Sequence, residues 1–126
     1  MAKFKLVQKP TFKAPVMIGR AGYDPEKVEF EFKYLDRLAL AGLYTTWDEQ
    51  LKELSDKAGD LGLKDFTAAQ IDMQVEQLMS VAVGWDIDEA FTVDNVRILV
   101  TSIKSAPGAV LNAYSEAFNE ARLGNS

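Results

Sequence analysis

Two hydrophobic periodicities divide the chain. From Val28 to Tyr34 apolar and charged residues alternate strictly, with Val28, Phe30, Phe32 and Tyr34 on one side and Glu29, Glu31 and Lys33 on the other. A period of two predicts a half-buried antiparallel strand. The apolar positions before it, Phe4, Leu6, Phe12 and Val16-Met17-Ile18, are bounded by Pro10, Pro15, Gly19 and Gly22. Gly19-Arg20-Ala21-Gly22-Tyr23-Asp24-Pro25 is dense in turn formers, so residues 12–34 read as a hairpin with a loop too long for a tight turn. Proline cannot donate to a ladder, and its first strand is therefore expected at a sheet edge.

After Asp36 the period becomes helical. Asp36 suits the N-cap of a short helix through Leu38, Leu40, Ala41 and Leu43, with Gly42 weakening its end. Thr46-Trp47-Asp48-Glu49 has the form of a capping box and predicts a second helix, with Trp47, Leu51 and Leu54 on one face and a stop near Gly59. Thr67-Ala68-Ala69-Gln70 predicts the next, carrying Ile71, Val75, Leu78, Met79 and Ala82 and stopping near Gly84. Trp85 to Phe91 reads as an irregular crossing segment. Thr92 then caps a helix containing Val93, Val96, Ile98, Leu99, Val100 and Ile103. Ala106-Pro107-Gly108 breaks the chain, Pro107 suits a first helical turn, and a last helix carries Val110, Leu111, Tyr114, Ala117, Phe118 and Ala121 before a fraying Gly124-Asn125-Ser126. The expected fold is α+β, mainly α. A β-hairpin region over 1–34 precedes a bundle of four or five helices over 35–124, in a single domain spanning 1–126.

Composition narrows the chemistry. The 126 residues are 48% hydrophobic and 26% charged, enough to build a core without staples, and they contain neither Cys nor His. Zinc and iron–sulfur sites of the usual kinds, thiol nucleophiles, Ser-His-Asp triads and His-based acid–base schemes are thereby removed. Carboxylate, Lys or Tyr chemistry remains, and no metal or cofactor is expected. No run approaches the roughly 18 apolar residues of a membrane span. Met1 to Gly19 alternates Lys with single apolar residues rather than forming a signal-peptide block, so a cytosolic protein is expected. The net charge of −5 disfavours a nucleic-acid partner, because such affinity rests on neutralised phosphates. Charge is also uneven. Residues 1–33 hold seven Lys/Arg against four Asp/Glu, net +3, and residues 34–126 hold seven against fifteen, net −8. Opposite charges on two parts of one subunit favour head-to-tail association of copies.

Each cluster that suggests chemistry has a simpler explanation. Asp86-Ile87-Asp88-Glu89 brings three carboxylates beside Trp85, but a calcium loop would want an oxygen ligand and a Gly where Ala90 and Phe91 stand. A solvated loop with carboxylates near a helix start accounts for it. Gly59-Asp60-Leu61-Gly62-Leu63-Lys64 fails the phosphate-loop spacing and lacks the Ser/Thr after its lysine, so it reads as a helix stop and a turn. Asp94-Asn95 suits a helix dipole. Lysines interleaved with Phe4, Phe12, Phe30 and Phe32 resemble a single-strand nucleic-acid platform, yet strand alternation puts the rings and the charges on opposite faces. Trp47, Trp85, Phe91, Tyr114 and Phe118 are read as core. The helix from Val93 to Ile103, in contrast, carries more apolar surface than one packed face requires, which points to burial by a partner or by further copies.

The C-terminal third carries a family likeness. Gly84-Trp85, Phe91-Thr92-Val93-Asp94-Asn95-Val96, Ala106-Pro107-Gly108-Ala109-Val110 and Asn112-Ala113-Tyr114-Ser115-Glu116-Ala117-Phe118 resemble the tail assembly chaperones of long-tailed bacteriophages. Thr11-Phe12-Lys13-Ala14-Pro15-Val16 and the strand from Val28 to Tyr34 are similar to that family's N-terminal strands. The resemblance implies a non-enzymatic protein that binds the tape measure protein, keeps it soluble and promotes assembly of tail tube protein around it. It further implies a homo-oligomer of the host cytoplasm, absent from the finished virion, and a family in which a longer frameshifted form occurs. No nucleic-acid or membrane partner follows from it. Candidate contact surfaces are the helices from Val93 to Ile103 and from Val110 to Ala121. Two other classes are compatible with the residues: a structural virion component such as a neck or tail-completion protein, and a small enzyme using Asp86 and Asp88.

Overall fold

A computed structural model describes residues 6, 7 and 9–123, residues 119–123 through their backbone alone. Phe4, the side chain of Ala121 and the end at Gly124-Asn125-Ser126 lie outside what it describes.

The expected hairpin is present. Strand β1 (Thr11–Ile18) pairs antiparallel with β2 (Glu26–Lys33), from Thr11 opposite Lys33 to Ile18 opposite Glu26. The Tyr34 amide donates to the Pro10 carbonyl at 2.8 Å, and this fixes the alternation along the ladder. Pro15 therefore falls in a non-hydrogen-bonded pair, with its missing donor directed to the free edge of β1. In the turn, Gly22 takes φ 82°, a conformation glycine adopts without a Cβ clash.

The sheet has a third strand that periodicity does not reveal. β3 (Ala82–Trp85) pairs antiparallel with β2, placing Phe30 opposite Trp85 and Phe32 opposite Ala82, with a bulge that turns Val83 outward. Four residues are too few to display alternation, and Gly84 reads locally as a helix stop. The order β1-β2-β3 makes β2 central.

Two helix starts differ from expectation. The short helix after Asp36 and the helix expected from Thr46 are one continuous element, α1 (Arg37–Lys57), with the Asp36 carboxylate accepting from the Ala39 amide at 2.9 Å. Thr46 does not cap: its hydroxyl donates to the Gly42 carbonyl one turn back at 3.1 Å. Such back-bonding lets a hydroxyl sit inside a helix, and Gly42 is tolerated there at about 1 kcal/mol. The continuous helix also corrects the packed face. Leu40, Leu43 and Trp47 pack against the core and Leu54 is buried, whereas Leu51, at helical spacing from Trp47 and Leu54, stays exposed. After a single 3-10 turn at Ala58–Asp60, α2 (Leu63–Val81) starts four residues before Thr67, whose hydroxyl likewise donates back to Leu63, at 2.7 Å. A threonine four residues into a favourable helical run satisfies the carbonyl behind it instead of opening a new element.

The remaining two helices follow the sequence closely. Thr92 caps α3 (Val93–Ser102) through its hydroxyl, which accepts from the Asn95 amide at 3.1 Å, and Pro107 lies in the first turn of α4 (Ala106–Leu123).

The core lies between one face of the sheet and the helices. Ala14, Val16 and Ile18 of β1 and Phe30 and Phe32 of β2 meet Val75, Leu78 and Val81 of α2, Val96 and Val100 of α3, and Val110 and Tyr114 of α4. Phe12, Phe32, Tyr114 and Phe118 form a ring cluster with centroids 5.1–6.0 Å apart. Edge-to-face contacts among such rings add stability beyond the area they bury. Tyr114 closes the cluster with its phenol, which donates to the Lys33 carbonyl at 3.0 Å.

Candidate functional site

Where the hairpin turn meets α3, the chain leaves an open groove of about 720 Å³. Its floor comes from three elements: Ile18 and Val28 from the strands, Ile98 and Leu99 from α3, and Ile103 just beyond. Its rim is the segment Asp86–Glu89, which follows β3, together with Arg20, Glu26 and Lys27 of the hairpin.

The rim is held by specific bonds. The Asp86 amide donates to the Glu29 carbonyl at 3.0 Å, and the Asp86 carboxylate accepts from the Glu29 amide at 2.8 Å, so the segment continues the β2–β3 pairing by one residue. Trp85 stands edge-on to Phe30 and Phe91, and its indole N–H donates to the Glu89 carbonyl at 2.7 Å. The Asn95 side-chain amide donates to the Ala90 carbonyl at 2.8 Å. On the other wall the Ser105 hydroxyl reaches the Gly19 carbonyl at 3.3 Å, tying the hairpin turn to the α3–α4 junction. Arg20 pairs with Glu26 at 2.8 Å and covers the Tyr23 ring 4.0 Å from its centroid.

These contacts assign a task to each sequence cluster. Asp86 is a backbone clasp, and among the described residues no three Asp or Glu side chains gather where they could hold a metal ion. Gly59-Asp60-Leu61-Gly62 is a helix end, a turn and the N-cap of α2. Asp94 lies in the first turn of α3, where the dipole favours it, and Asn95 braces the rim. Phe30 and Phe32 are buried beneath the sheet, whereas Lys13, Lys27 and Lys33 project from its other face or edges into water. These phenylalanine rings and lysines therefore do not share a binding surface. Trp85, Phe91, Trp47 and Phe118 are half-buried against the core, and Tyr114 is fully within it. Burial pushes the Tyr114 phenol up to about 12, with the nearby Tyr44 phenol adding to the effect.

Apolar side chains outside the groove floor are also left in water. Of the twenty-one residues of α1, Leu54 is the one that is buried, and Leu38 and Leu51 are 86% and 53% exposed. α3 adds Val93 and Ile98, the latter 60% exposed, which accounts for the surplus apolar surface read from its sequence. The two helices proposed as contact surfaces thus differ. α4 places Ala106, Val110 and Tyr114 in the core, while α3 buries Val96, Leu99 and Val100 and leaves Val93 and Ile98, on different sides of the helix, in water. Sequence reasoning missed Leu38 and Leu51 on α1. For Leu38 the signal was present, since it falls on the side of the helix opposite Leu40, Leu43, Trp47 and Leu54, but it is hidden when the helix is divided at Thr46; Leu51 stands at helical spacing from Trp47 and Leu54, and its exposure is decided by tertiary packing alone. No helix of the described residues is long and apolar enough to cross a membrane.

Comparison with known proteins reaches the whole chain through one family. A family model described as phage tail assembly chaperone matches residues 1–125. Neither a curated protein nor a solved structure matches. The chain belongs to the phage tail assembly chaperone family.

Proposed function

From that membership, we propose that this chaperone binds the tape measure protein, holds it in solution and promotes polymerisation of tail tube protein around it, without catalysis and without a cofactor. Its place of action is the host cytoplasm, it associates with its own copies, and it leaves before the virion is complete. The supporting observation is that large apolar side chains on two helices, Leu38 and Leu51 on α1 and Val93 and Ile98 on α3, are left in water. A tape measure is a long helical chain with apolar stripes. Exposed leucine and isoleucine on helices are suited to meet such stripes side by side, shielding them from one another.

Co-expression with the tape measure protein tests the reading. The expected result is co-purification and a rise in soluble tape measure, both lost in Leu38→Glu/Leu51→Glu while the variant's circular dichroism and melting stay as in the parent. An insoluble tape measure in the presence of the parent chaperone defeats the proposal. Mass spectrometry of purified particles adds an independent check, since a chaperone is absent from them and a neck or completion protein is present.

A further inference from the structure

We propose that the groove between the hairpin turn and α3 receives the N-terminal segment, residues 1–9, of a second copy of this chain. The inference does not depend on the tape measure reading and concerns the protein by itself.

The chemistry of the two surfaces is complementary. Residues 1–9 contain Lys3, Lys5 and Lys9 and no acidic residue, the first in the chain being Asp24. At the groove, Arg20 is engaged with Glu26, which leaves Lys27 against Asp86, Asp88 and Glu89. Phe4 and Leu6 alternate with Lys3 and Lys5. Extended, such a stretch presents rings and branches on one side and cations on the other, the arrangement that an apolar floor beneath an acidic rim accepts. The floor is uncovered at Ile98, and Leu6 and Val7 are each 87% exposed. A groove of about 720 Å³ is of the size that encloses several side chains.

Chain geometry selects a second copy over the molecule's own segment. Residues 1–9 join the fold at Pro10, the end of the hairpin away from the turn. From Thr11 to Ile18 the strand covers about 23 Å at 3.3 Å per residue. Leu6 and Phe4, four and six residues before Pro10, reach about 14 and about 21 Å at full extension. Both therefore fall short of the Ile18 end of their own groove, whereas a neighbouring copy can bring its groove up to them. A segment at one end of the subunit and a receptor at the other build a ring or an open chain, and reciprocal exchange closes a dimer.

Sedimentation velocity of the full chain reads the association directly. We expect Lys3→Glu/Lys5→Glu/Lys9→Glu and Asp88→Lys/Glu89→Lys each to weaken self-association on the order of tenfold, and an equimolar mixture of the two to recover it, because opposite charges face each other again. Circular dichroism and melting check that both variants fold. In a Trp47→Phe background, a peptide of residues 1–10 should shift the Trp85 emission and dissociate the assembly. Association unchanged by deletion of residues 1–9, or a peptide that leaves Trp85 unaffected, overturns the proposal. A tape measure peptide that shifts Trp85 where residues 1–10 do not also overturns it, and assigns the groove to the client.

Discussion

Between β2 and α4 the rings of Phe30, Phe32 and Tyr114 are almost wholly removed from water, whereas along α1, a helix of similar length to α4, Leu54 alone is buried. α1 carries five leucines, a Tyr and a Trp, and α4 two leucines, a Tyr and a Phe, so the supply of large apolar side chains does not explain why α1 is the exposed one. Position does. α4 lies across β1 and beneath the ring cluster, and α1 has α2 as its main neighbour. Across the seam between α1 and α2, Gln50 donates to Glu76 at 3.1 Å. The comparison teaches that apolar residues at the sheet face build the fold, while those left exposed on α1 are free for another use.

The sharpest way to break this contrast is Phe32→Ala. Removing a fully buried ring costs about 3–5 kcal/mol, a large share of a domain's stability. Denaturant unfolding should show α1 lost together with the sheet, because its packed side chains have only this core to lean on. The reverse result, an α1 signal that survives, would mean that the helix stands by itself.

Alkaline titration probes the same face more gently. The Tyr114 phenol is raised to about 12 from 10.0, so the folded state holds this proton more tightly than the unfolded state. Its contribution is fully present below pH 10 and is lost as pH rises through 10 to 12, a change on the order of 2 kcal/mol. Tyr114→Phe should remove that pH dependence, and at neutral pH it should cost about 1 kcal/mol through the bond lost from the Lys33 carbonyl. Thermal melts at a series of pH values measure both effects.

On the α1 side the expected effects are smaller. Asp36→Ala removes the cap at Ala39 and should cost about 1 kcal/mol, with hydrogen exchange quickening in the first turns of α1 and little changed in β2. Leu51→Glu should leave the melting temperature within the equivalent of about 0.5 kcal/mol while impairing capture of the client. A large loss of stability in Leu51→Glu would erase the distinction between the two regions.

Much of the architecture was legible locally. The alternation from Val28 to Tyr34, the edge proline, the Asp36 and Thr92 caps and the Pro107 helix start are each decided by one residue and its near neighbours, and each is present. The failures share a different cause. Thr46 and Thr67 fit the capping pattern, but an N-cap needs a chain that is not already helical behind it, and both lie inside helices that begin earlier, after Asp36 and Gly62. β3 exists because Ala82–Trp85 meets β2 some fifty residues away. The groove was illegible for the same reason: Ile18, Val28, Ile98 and Ile103 are each ordinary apolar positions until the turn, the clasp at Asp86 and α3 are brought together.

By itself the sequence determined which chemistries are absent, since no fold can supply Cys or His, and it determined the types of the long elements, though not the strand β3, and the segregation of basic and acidic residues, because periodicity, capping and charge are local properties. Tertiary structure alone decided which apolar residues remain in water. Leu51 and Leu54 have the same side chain three positions apart on one helix, and what distinguishes them, 53% against 7% exposed, is which neighbours the fold brings up to each.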